Sequence, residues 1–487
     1  MIMKLKELLK HIDYLEVRGQ GNPVITAIES DSRKIQQGSA FIAQRGLHAD
    51  GHQFIQKAMD NGAVAVFCED FPDLCPTLVP VVIVADSIKT TGWLASAFYQ
   101  FPSKTMKVVG VTGTNGKTSI ATLLFNLFRA LGYKAGLIST IEYRIQEQKE
   151  PATHTTPDAL KIQELMAKMA ASGCEFCFME VSSHALHQQR IAGIHFTGGI
   201  FTNITHDHLD YHKTFAQYLK AKQGFFDQLS PAAFALTNVD DKNGMVMVQN
   251  TKARIITYSN RSMADYRCKV LETHFNGMQL NLDGREVWTR FVGKFNASNL
   301  LAVYAAAVTL EQEKEEVLTC ISNLEPVKGR FETLRSIDGV LAIVDYAHTP
   351  DALKNVLTAI QGIRSGNEQI ITVVGAGGDR DKTKRPEMTR EAVLGSNKVI
   401  LTSDNPRSED PAQIIQDMEA GIETQHKKRV ISIENRREAI KTAVMIAKPG
   451  DIILVAGKGH ENYQEVMGVR HHFDDVEEIR KCFGLEN

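Results

Sequence analysis

The sequence VVGVTGTNGKTS, residues 108–119, decides the fold of the middle of this chain. Its β-branched start predicts a buried parallel strand, and the apolar stretch 120–131 predicts a helix after it. Glycines between them let backbone N–H groups approach phosphate oxygens, which a helix N-terminus also attracts. Lys117 is placed to reach the β- and γ-phosphates, and the Thr118 hydroxyl to bind Mg²⁺. The stretch predicts a nucleoside triphosphate site, although Val111 breaks a strict Walker A spacing and a generic glycine-rich turn is the alternative.

Composition excludes several classes of protein. The chain has 487 residues, enough for about three domains. A net charge of −2 gives no reason to expect nucleic acid or a membrane surface as a partner. No uncharged apolar run reaches the roughly 18 residues that span a bilayer. The seven cysteines are scattered along the sequence, which favours a reducing, cytoplasmic location.

The alternation of strands and helices divides the sequence into three regions. Residues 1–86 carry short apolar runs between helical stretches and predict a small α/β domain. Residues 87–333 hold the phosphate-loop stretch and further buried strands, which indicate a mainly parallel sheet. The alternation then starts again over residues 334–487. We therefore expect an α/β chain of three domains with these limits.

An acidic residue follows the next apolar strand, FCFMEV at 176–181. A carboxylate at the end of a buried strand beside a phosphate loop is where a Walker-B-like acid binds Mg²⁺. The alternative is a structural glutamate, which would need a buried partner. The position makes Glu180 a candidate metal-associated residue.

A cluster of His and Asp residues, THDHLDYH at 205–212, follows a further strand. Taken alone, His206, His208 and His212 are typical of a transition-metal hydrolase. A polar loop capping the helix at 215–229 is a second interpretation, and one histidine holding a second Mg²⁺ is a third. On that helix, Lys222 is by default a solvated lysine.

Four polar clusters follow the four apolar strands of the last region. They are Asp345–His348, Gly378–Asp381, Asp404–Arg407 and Gly457–Glu461. In an open parallel sheet, ligands bind outside the carboxyl ends of the strands. All four clusters are therefore expected to face one cleft.

These motifs in this order resemble the Mur ligases of bacterial cell-wall synthesis. The resemblance spans essentially the whole chain and rests on TGTNGKT at 112–118, MEVSSH at 179–184, DHLD at 207–210, DYAH at 345–348 and GKGHE at 457–461. It implies an N-terminal domain for a UDP moiety, a central P-loop-type ATPase domain and a Rossmann-like C-terminal domain for an amino acid. Within the family, the chain resembles the members that add the third amino acid to UDP-MurNAc-L-Ala-D-Glu, through an acyl phosphate. ATP and Mg²⁺ are the implied cofactors, and a monomer is expected.

The resemblance also implies roles for individual residues. ATP contacts are expected from Gly113, Thr114, Asn115, Gly116, Lys117, Thr118, Ser119, Asn299 and Arg330, with Ser119 standing where many members have threonine. Mg²⁺ contacts are expected from Thr118, Glu180, His208 and Lys222, the last as a carbamate, and Lys117, Glu180, His208 and Lys222 are the implied catalytic residues. The UDP-sugar would be held by Ser30, Ser32, Leu47, His48 and Ala49, and the muramoyl-dipeptide by Thr155, Thr156, Ser182, Gln188 and Arg190. The amino acid would be held by Arg380, Asp404, Asn405, Pro406, Arg407, Gly457 and Glu461.

The DNPR sequence at 404–407 bears on which amino acid is used. In the family, the Arg form goes with meso-2,6-diaminopimelate and its loss with L-lysine. The guanidinium of Arg407 can grip the distal carboxylate of diaminopimelate with two hydrogen bonds, whereas lysine has no such group. A ligase specific for L-lysine, a metal-dependent hydrolase and a nucleotide-binding switch without catalysis are the remaining alternatives.

Overall fold

The strands form three large sheets, one in each third of the chain. This computed structural model describes residues 1–46, 49–70 and 79–485. Neighbouring strands in each sheet are mostly parallel, with antiparallel pairs at the edges. The predicted class, α/β with mainly parallel sheets, is confirmed.

The first sheet has the strand order β2-β7-β6-β5-β4, and β1 pairs separately with β3. The elements of this region are β1 (Met3–Lys4), α1 (Leu5–Leu8), β2 (Glu16–Arg18), β3 (Val24–Ile25), β4 (Ala27–Glu29), β5 (Ser39–Ile42), α2 (Ile55–Asp60), β6 (Ala65–Cys68), β7 (Val81–Ile83) and α3 (Ser87–Phe98).

The central sheet has eleven strands in the order β11-β10-β9-β12-β8-β13-β14-β15-β16-β17-β18. Its region comprises β8 (Lys107–Thr112), α4 (Lys117–Ala130), β9 (Ala135–Ile138), β10 (Glu142–Ile145), β11 (Gln148–Pro151), α5 (Ala159–Ala171), β12 (Phe176–Glu180), α6 (Ser183–His187), β13 (Gly198–Phe201), α7 (Leu209–His212), α8 (Phe215–Asp227), β14 (Phe234–Asn238), α9 (Gly244–Met247), β15 (Arg254–Ser259), β16 (Tyr266–His274), β17 (Gly277–Leu282), β18 (Arg285–Thr289), α10 (Lys294–Thr309) and α11 (Lys314–Asn323).

The third sheet has six strands in the order β19-β20-β24-β21-β22-β23, and a separate hairpin pairs β25 with β26. Its elements are β19 (Glu332–Arg335), β20 (Leu341–Asp345), α12 (Pro350–Ile363), β21 (Ile370–Ala376), α13 (Lys384–Gly395), β22 (Lys398–Ser403), α14 (Pro411–Glu419), β23 (Val430–Ser432), α15 (Arg436–Ile446), β24 (Ile452–Ala456), β25 (Tyr463–Val466), β26 (Val469–His472) and α16 (Asp475–Phe483).

The phosphate-loop strand β8 lies between β12 and β13, and all three run parallel. Val111 of β8 pairs with Glu180, and Thr112 pairs with Phe201. Their carboxyl ends therefore meet at one edge of the sheet, where loops converge on a ligand. Behind this edge, α4 buries Leu124 and Phe128 in the main core, and each such side chain stabilises the fold by about 1.5–3 kcal/mol.

Packing bears on the domain limits near 86 and 333, which remain proposals. Leu94, Ala97 and Phe98 of α3 lie in the same hydrophobic cluster as the strands of the first sheet. Strand β19 begins at Glu332 and pairs with β20 of the third sheet. Packing thus favours assigning α3 to the first domain and all of β19 to the third.

Helix α3 also contacts the central domain, backbone against backbone. A Cβ atom on Gly92 would collide with the carbonyl of Ala192, and one on Gly193 would lie 2.6 Å from the carbonyl oxygen of Gly92. The Ser96 hydroxyl donates a hydrogen bond of 2.9 Å to the Gly193 carbonyl. The backbones of the first two domains therefore approach closely at this point, with only small side chains beside them.

None of the helices in residues 1–46, 49–70 and 79–485 is both long enough and apolar enough to cross a membrane.

Candidate active site

The turn after β8 is shaped by two glycines. Gly113 has φ +152 and Gly116 has φ +89, values that L side chains rarely adopt. A Cβ atom on Gly113 would collide with the Thr202 hydroxyl, and one on Gly116 would lie 2.7 Å from Oδ1 of Asn299. The turn therefore needs glycine at both positions, for backbone conformation and for space.

Asn203, which follows β13, holds this turn from the side. Its carbonyl accepts a hydrogen bond of 2.8 Å from the backbone N–H of Thr114, and its Oδ1 accepts one of 2.9 Å from that of Asn115. The Asn115 side chain donates to Oδ2 of Asp351, in the C-terminal region, at 3.0 Å. The turn is thus held by its own domain and by the C-terminal domain.

Lys117 begins α4, and its ammonium group folds back over the turn. Nζ donates hydrogen bonds to the carbonyls of Gly113, at 2.9 Å, and Thr114, at 2.8 Å. Burial lowers the pKa of this lysine, while the carboxylates of Glu180 and Asp207 act in the opposite direction. An ammonium held at the centre of the turn suits a phosphate group bound there.

Glu180 is fully buried and has two partners. Its Oε2 accepts a hydrogen bond of 3.0 Å from the Thr118 hydroxyl, and its Oε1 accepts one of 2.7 Å from the backbone N–H of Thr140. Thr118 also accepts a hydrogen bond of 3.2 Å from Arg330. Carboxylate and hydroxyl oxygens are the ligands that Mg²⁺ prefers, so this pair fits the ion.

His208 has a left-handed backbone, with φ +55. Its backbone N–H donates 2.9 Å to Oδ1 of Asp207, and its Nε2 lies 3.4 Å from Oδ2 of the same carboxylate. Burial lowers the pKa of His208 to about 3, so the ring is neutral and able to bind a metal ion through nitrogen.

The geometry does not favour the hydrolase interpretation. Among the described residues, no group of three or more His, Cys, Asp or Glu side chains is arranged to hold a metal ion. His206 lies instead 3.5 Å from Asp381 of the C-terminal region. The His212 ring packs against His184 and Tyr218, with centroid distances of 5.7 and 5.3 Å.

Lys222 is 1% exposed, so the alternative of a solvated helix lysine is wrong. Its Nζ donates to the Gly113 carbonyl at 2.8 Å and lies 4.9 Å from the centre of the Tyr218 ring. Burial and the nearby Lys117 hold the pKa of this amine well below its usual range. A neutral buried amine beside the phosphate turn fits the chemistry of carbamate formation.

The residues expected to hold the muramoyl-dipeptide lie together beside β12. The Thr156 hydroxyl donates 2.7 Å to the carbonyl of Glu180, and Arg190 donates 2.7 Å to the carbonyl of Thr156. Arg190 also donates twice to Oε1 of Gln188, at 3.0 and 2.6 Å. Ser182 caps α6 through a hydrogen bond of 3.2 Å from the backbone of Ala185. Thr155 accepts a hydrogen bond of 3.1 Å from Thr140.

The expected UDP-sugar contacts are spread over the first domain. Ser30 and Ala49 are exposed, while Ser32 is buried and its carbonyl accepts 2.9 Å from the Asn61 side chain. Leu47 and His48 lie outside the described residues.

The polar clusters of the third sheet meet in one cleft, as predicted. The Tyr346 and His460 rings lie 4.9 Å apart, and Arg407 donates 2.6 Å to the carbonyl of Gly378. Nδ2 of Asn405 donates 2.8 Å to Glu461. Of the remaining expected contacts, Arg380 is exposed and Pro406 is buried.

Asp404 is buried between two cations, with Lys458 and Arg436 each 3.9 Å from its carboxylate. These cations hold the pKa of Asp404 below its usual range, although burial alone would raise it. Gly457 has φ +117, and a Cβ there would lie 2.5 Å from Oδ2 of Asp404. The residues expected to hold the amino acid are thus packed around the Asp404 carboxylate.

A cavity of about 770 Å³ joins the phosphate turn to the C-terminal domain. The predicted residues in its wall are Thr114, Asn115, Gly116, Lys117, Thr118, Ser119, Thr155, Glu180, His208, Asn299 and Arg330. Arg330 stacks on Tyr346, with 4.4 Å between guanidinium carbon and ring centre. A cavity of this size accommodates a nucleotide.

Sequence reasoning missed several residues of this site. Asn203 follows a predicted buried strand, and that position could have identified it. Asp351 lies 236 residues from its partner Asn115, and no local pattern links the two. Asp207 and Lys384 likewise pair across the domain boundary.

Three family models match the chain along its length. They are the Mur ligase family, catalytic domain, over residues 24–99; the Mur ligase middle domain, over 111–307; and the Mur ligase, glutamate ligase domain, over 329–459. The chain belongs to the Mur ligase family. The family predicted from the motifs is confirmed.

Relatives with one name cover nearly the whole chain. The UDP-N-acetylmuramoyl-L-alanyl-D-glutamate–2,6-diaminopimelate ligase of Bacteroides fragilis is 54% identical over 483 residues, 99% of this chain and 100% of the relative. That of Phocaeicola vulgatus is 55% identical over 484 residues, with the same coverage of both chains. A solved structure of a ligase of this name has a TM-score of 0.72 and 34% identity, and covers 99% of each chain. MurF of Acinetobacter baumannii, 15% identical with a TM-score of 0.68, shares the fold.

Proposed function

We propose that this chain is an ATP-dependent ligase that adds meso-2,6-diaminopimelate to UDP-MurNAc-L-Ala-D-Glu, a step in peptidoglycan precursor synthesis. The relatives that are 53–55% identical along the chain carry the name of a 2,6-diaminopimelate ligase. The observation that carries the proposal is the cleft geometry. The Arg407 guanidinium lies in the cleft of the C-terminal domain that also holds the buried Asp404 carboxylate. The same domain forms part of the wall of the nucleotide cavity.

The proposed reaction is the one that the family resemblance implies, and it passes through an acyl phosphate. The γ-carboxylate of D-Glu attacks the γ-phosphorus of ATP, ADP leaves, and an acyl phosphate forms. The amine of diaminopimelate then attacks the acyl carbon, phosphate leaves, and the nitrogen loses a proton. Lys117 neutralises phosphoryl oxygens, and the protein's main contribution is to position both substrates.

Residues around the phosphate turn can hold Mg²⁺. We assign Thr118, Glu180 and His208 to the ion, with Lys222 joining them once its neutral amine has added to CO₂ and lost a proton. Bound there, Mg²⁺ would supply countercharge to the phosphates. The acyl phosphate is destroyed by water, and two contacts across the domains, Asn115 with Asp351 and Arg330 with Tyr346, help to close the cavity.

A ligation assay tests the proposal. Purified protein is given ATP, Mg²⁺ and UDP-MurNAc-L-Ala-D-Glu with either meso-diaminopimelate or L-lysine, and products are identified by mass. We expect the diaminopimelate tripeptide, with one ADP formed for each product. Preferential use of L-lysine would favour a ligase of the same family that is specific for L-lysine. Hydrolysis of ATP without ligation would contradict the proposal. We expect the enzyme to act in the cytoplasm as a monomer.

A further inference from the structure

One ion pair and one histidine–carboxylate contact join the central and C-terminal domains. Lys384 of the C-terminal domain binds the Asp207 carboxylate of the central domain. Nε2 of His206, in the central domain, lies 3.5 Å from the carboxylate of Asp381, in the C-terminal domain. Four side chains from two short segments, 206–207 and 381–384, thus make contacts across the domain boundary.

Hydrogen bonds stabilise the turn that precedes Lys384. Oδ1 of Asp381 accepts hydrogen bonds from the backbone N–H of Thr383, at 3.0 Å, and from its hydroxyl, at 2.6 Å. This turn leads directly into α13, whose first residue is Lys384. The lysine side chain is 13% exposed, so its ammonium group has left most of its water. Removing one partner of such a pair leaves a buried charge uncompensated.

Asp207 transmits this contact to His208. The same carboxylate oxygen that binds Lys384 accepts the backbone N–H of His208, and the other oxygen lies 3.4 Å from the His208 ring. A left-handed backbone at a residue other than glycine is strained and needs local contacts to persist. The Asp207 carboxylate supplies them, since it engages both the N–H and the ring.

Lys384 itself contributes nothing to the cavity wall, whereas Asp207 and His208 do. Its exposed neighbour Lys382 is 65% exposed and pairs with Glu409 inside its own domain, at 3.3 Å. Two lysines of one segment therefore have different roles: one reaches the other domain, and one does not.

We propose that Lys384 is a positioning residue that acts on His208 through Asp207, so that the nucleotide cavity is complete only when the two domains are packed together. The inference rests on the proposed function in one respect, that the cavity binds ATP with Mg²⁺. It assigns the ordering of a central-domain histidine to a lysine of the domain proposed to bind the amino acid.

The test compares Lys384→Met with Lys382→Met as the matched control. Binding of adenylyl imidodiphosphate is measured by calorimetry at a series of Mg²⁺ concentrations. Partners that orient a metal ligand typically change metal affinity by about 10–100-fold, so we expect Lys384→Met to raise the Mg²⁺ concentration needed for half-maximal binding by at least about ten-fold. Lys382→Met should leave it within about two-fold. Equal behaviour of the two variants would overturn the proposal.

A second arm separates positioning from general stability. If Lys384 acts through His208, Lys384→Met adds no further loss of Mg²⁺-dependent binding in a His208→Ala background, whereas additive losses would overturn the proposal. Should Lys384→Met fail to fold, Lys384→Ala, which also removes the donor toward Asp207, is judged by the same two criteria. The binding assay uses neither ligation substrate. If the wild type binds the nucleotide with Mg²⁺ but ligates nothing, the proposed function is refuted. The role of Lys384 is still decided by the binding measurements.

Discussion

Thr118 and Glu180 are joined by a hydrogen bond of 3.0 Å from the hydroxyl to the carboxylate. This bond links the first turn of α4 to the end of β12, and its two residues lie 62 positions apart in the sequence. Both oxygens lie in the wall of the nucleotide cavity. The pair is therefore a ready set of hard oxygen ligands placed where phosphate charge would be highest.

Removing the ammonium group of Lys117 should abolish ATP turnover. Nζ lies over the turn that we assign to the phosphates, and loss of one well-placed donor typically lowers kcat by about 10²–10³. Lys117→Ala is compared with Lys107→Ala, which changes an exposed lysine at the start of β8, by ADP release and thermal melting. Near-normal ligation by folded Lys117→Ala would refute the nucleotide-site assignment.

Lys222 should be carbamylated and needed for activity. Its amine is buried and its pKa is lowered, which provides the neutral nitrogen that adds to CO₂. Lys222→Ala should lose ligation and regain part of it in acetate, since a small carboxylate can replace the carbamate oxygens. Lys220→Ala, on the exposed face of α8, is the control. Full activity of Lys222→Ala without acetate would show that the carbamate is unnecessary.

Arg407 should discriminate between the two amino acids. Arg407→Ala should raise KM for meso-diaminopimelate strongly, because losing one partner of a buried charged pair costs about 2–5 kcal/mol. Use of L-lysine should change much less, and Arg407→Lys should rescue poorly because an ammonium cannot form the two-pronged contact. Arg390→Ala, exposed on α13, is the control. Kinetics with equal losses for both substrates would contradict the carboxylate contact.

Gly457→Ala should impair amino-acid binding through Asp404. Both Gly457, at φ +117, and Gly450, at φ +90, would strain a residue with a Cβ atom. Only at Gly457 does that Cβ meet a side chain, the Asp404 carboxylate, while nothing lies within 4 Å at Gly450. We expect Gly457→Ala to raise KM for the amino acid and Gly450→Ala to cost only stability. Matching kinetics in the two variants would argue against the steric effect.

Stability should fall as the solution becomes acidic. Burial lowers the pKa of His212 from 6.5 to about 4 and that of His208 to about 3. Between pH 6.5 and these values the unfolded chain binds protons that the folded chain does not. The free energy of unfolding therefore falls with decreasing pH, by up to about 1.4 kcal/mol per pH unit for the buried His212 and by less for His208, whose side chain is 40% exposed.

A single substitution isolates one of these groups. His212 is 5% exposed and packs between aromatic rings, so His212→Phe keeps most of its contacts and removes its titration. Melting temperatures of this variant should depend less on pH between 7 and 5 than those of the wild type. His471→Phe, at an exposed position of β26, should not differ from the wild type in this respect. An unchanged slope for His212→Phe would exclude His212 as a source of the acid sensitivity.

Local patterns predicted the framework of the site well. The strand, glycine turn and helix around Lys117 are encoded within one short stretch, because β-branching, glycine and helix periodicity act between near neighbours. Glu180 was identifiable for the same reason, since it ends an apolar run. The structure places it beside Thr118, as a Walker-B-like acid requires.

Contacts between distant segments could not be predicted in this way. The burial of Lys222 depends on Gly113, which lies 109 residues earlier, and nothing in the local helix pattern distinguishes it from the exposed Lys220. The partnership of Asp207 with Lys384 spans 177 residues and exists only because two domains pack together. Residue type and spacing report neighbours on one element, whereas these pairs arise from tertiary packing.

The contact between Gly92 and Gly193 fixes how far the first sheet lies from the phosphate turn. The two backbones approach closely there, with only the small side chains of Ala192 and Ser96 beside them, so the contact resists sliding of one domain past the other. On the proposed function, a ligand would be anchored in the first domain and would react at the phosphate turn, and this contact would limit the distance between its two ends. Adding one residue to its peptide would shift the reacting carboxylate by up to about 3.5 Å, more than the reach of a hydrogen bond. We therefore expect the contact of helix α3 with the central domain to limit the length of the substrates that the enzyme accepts.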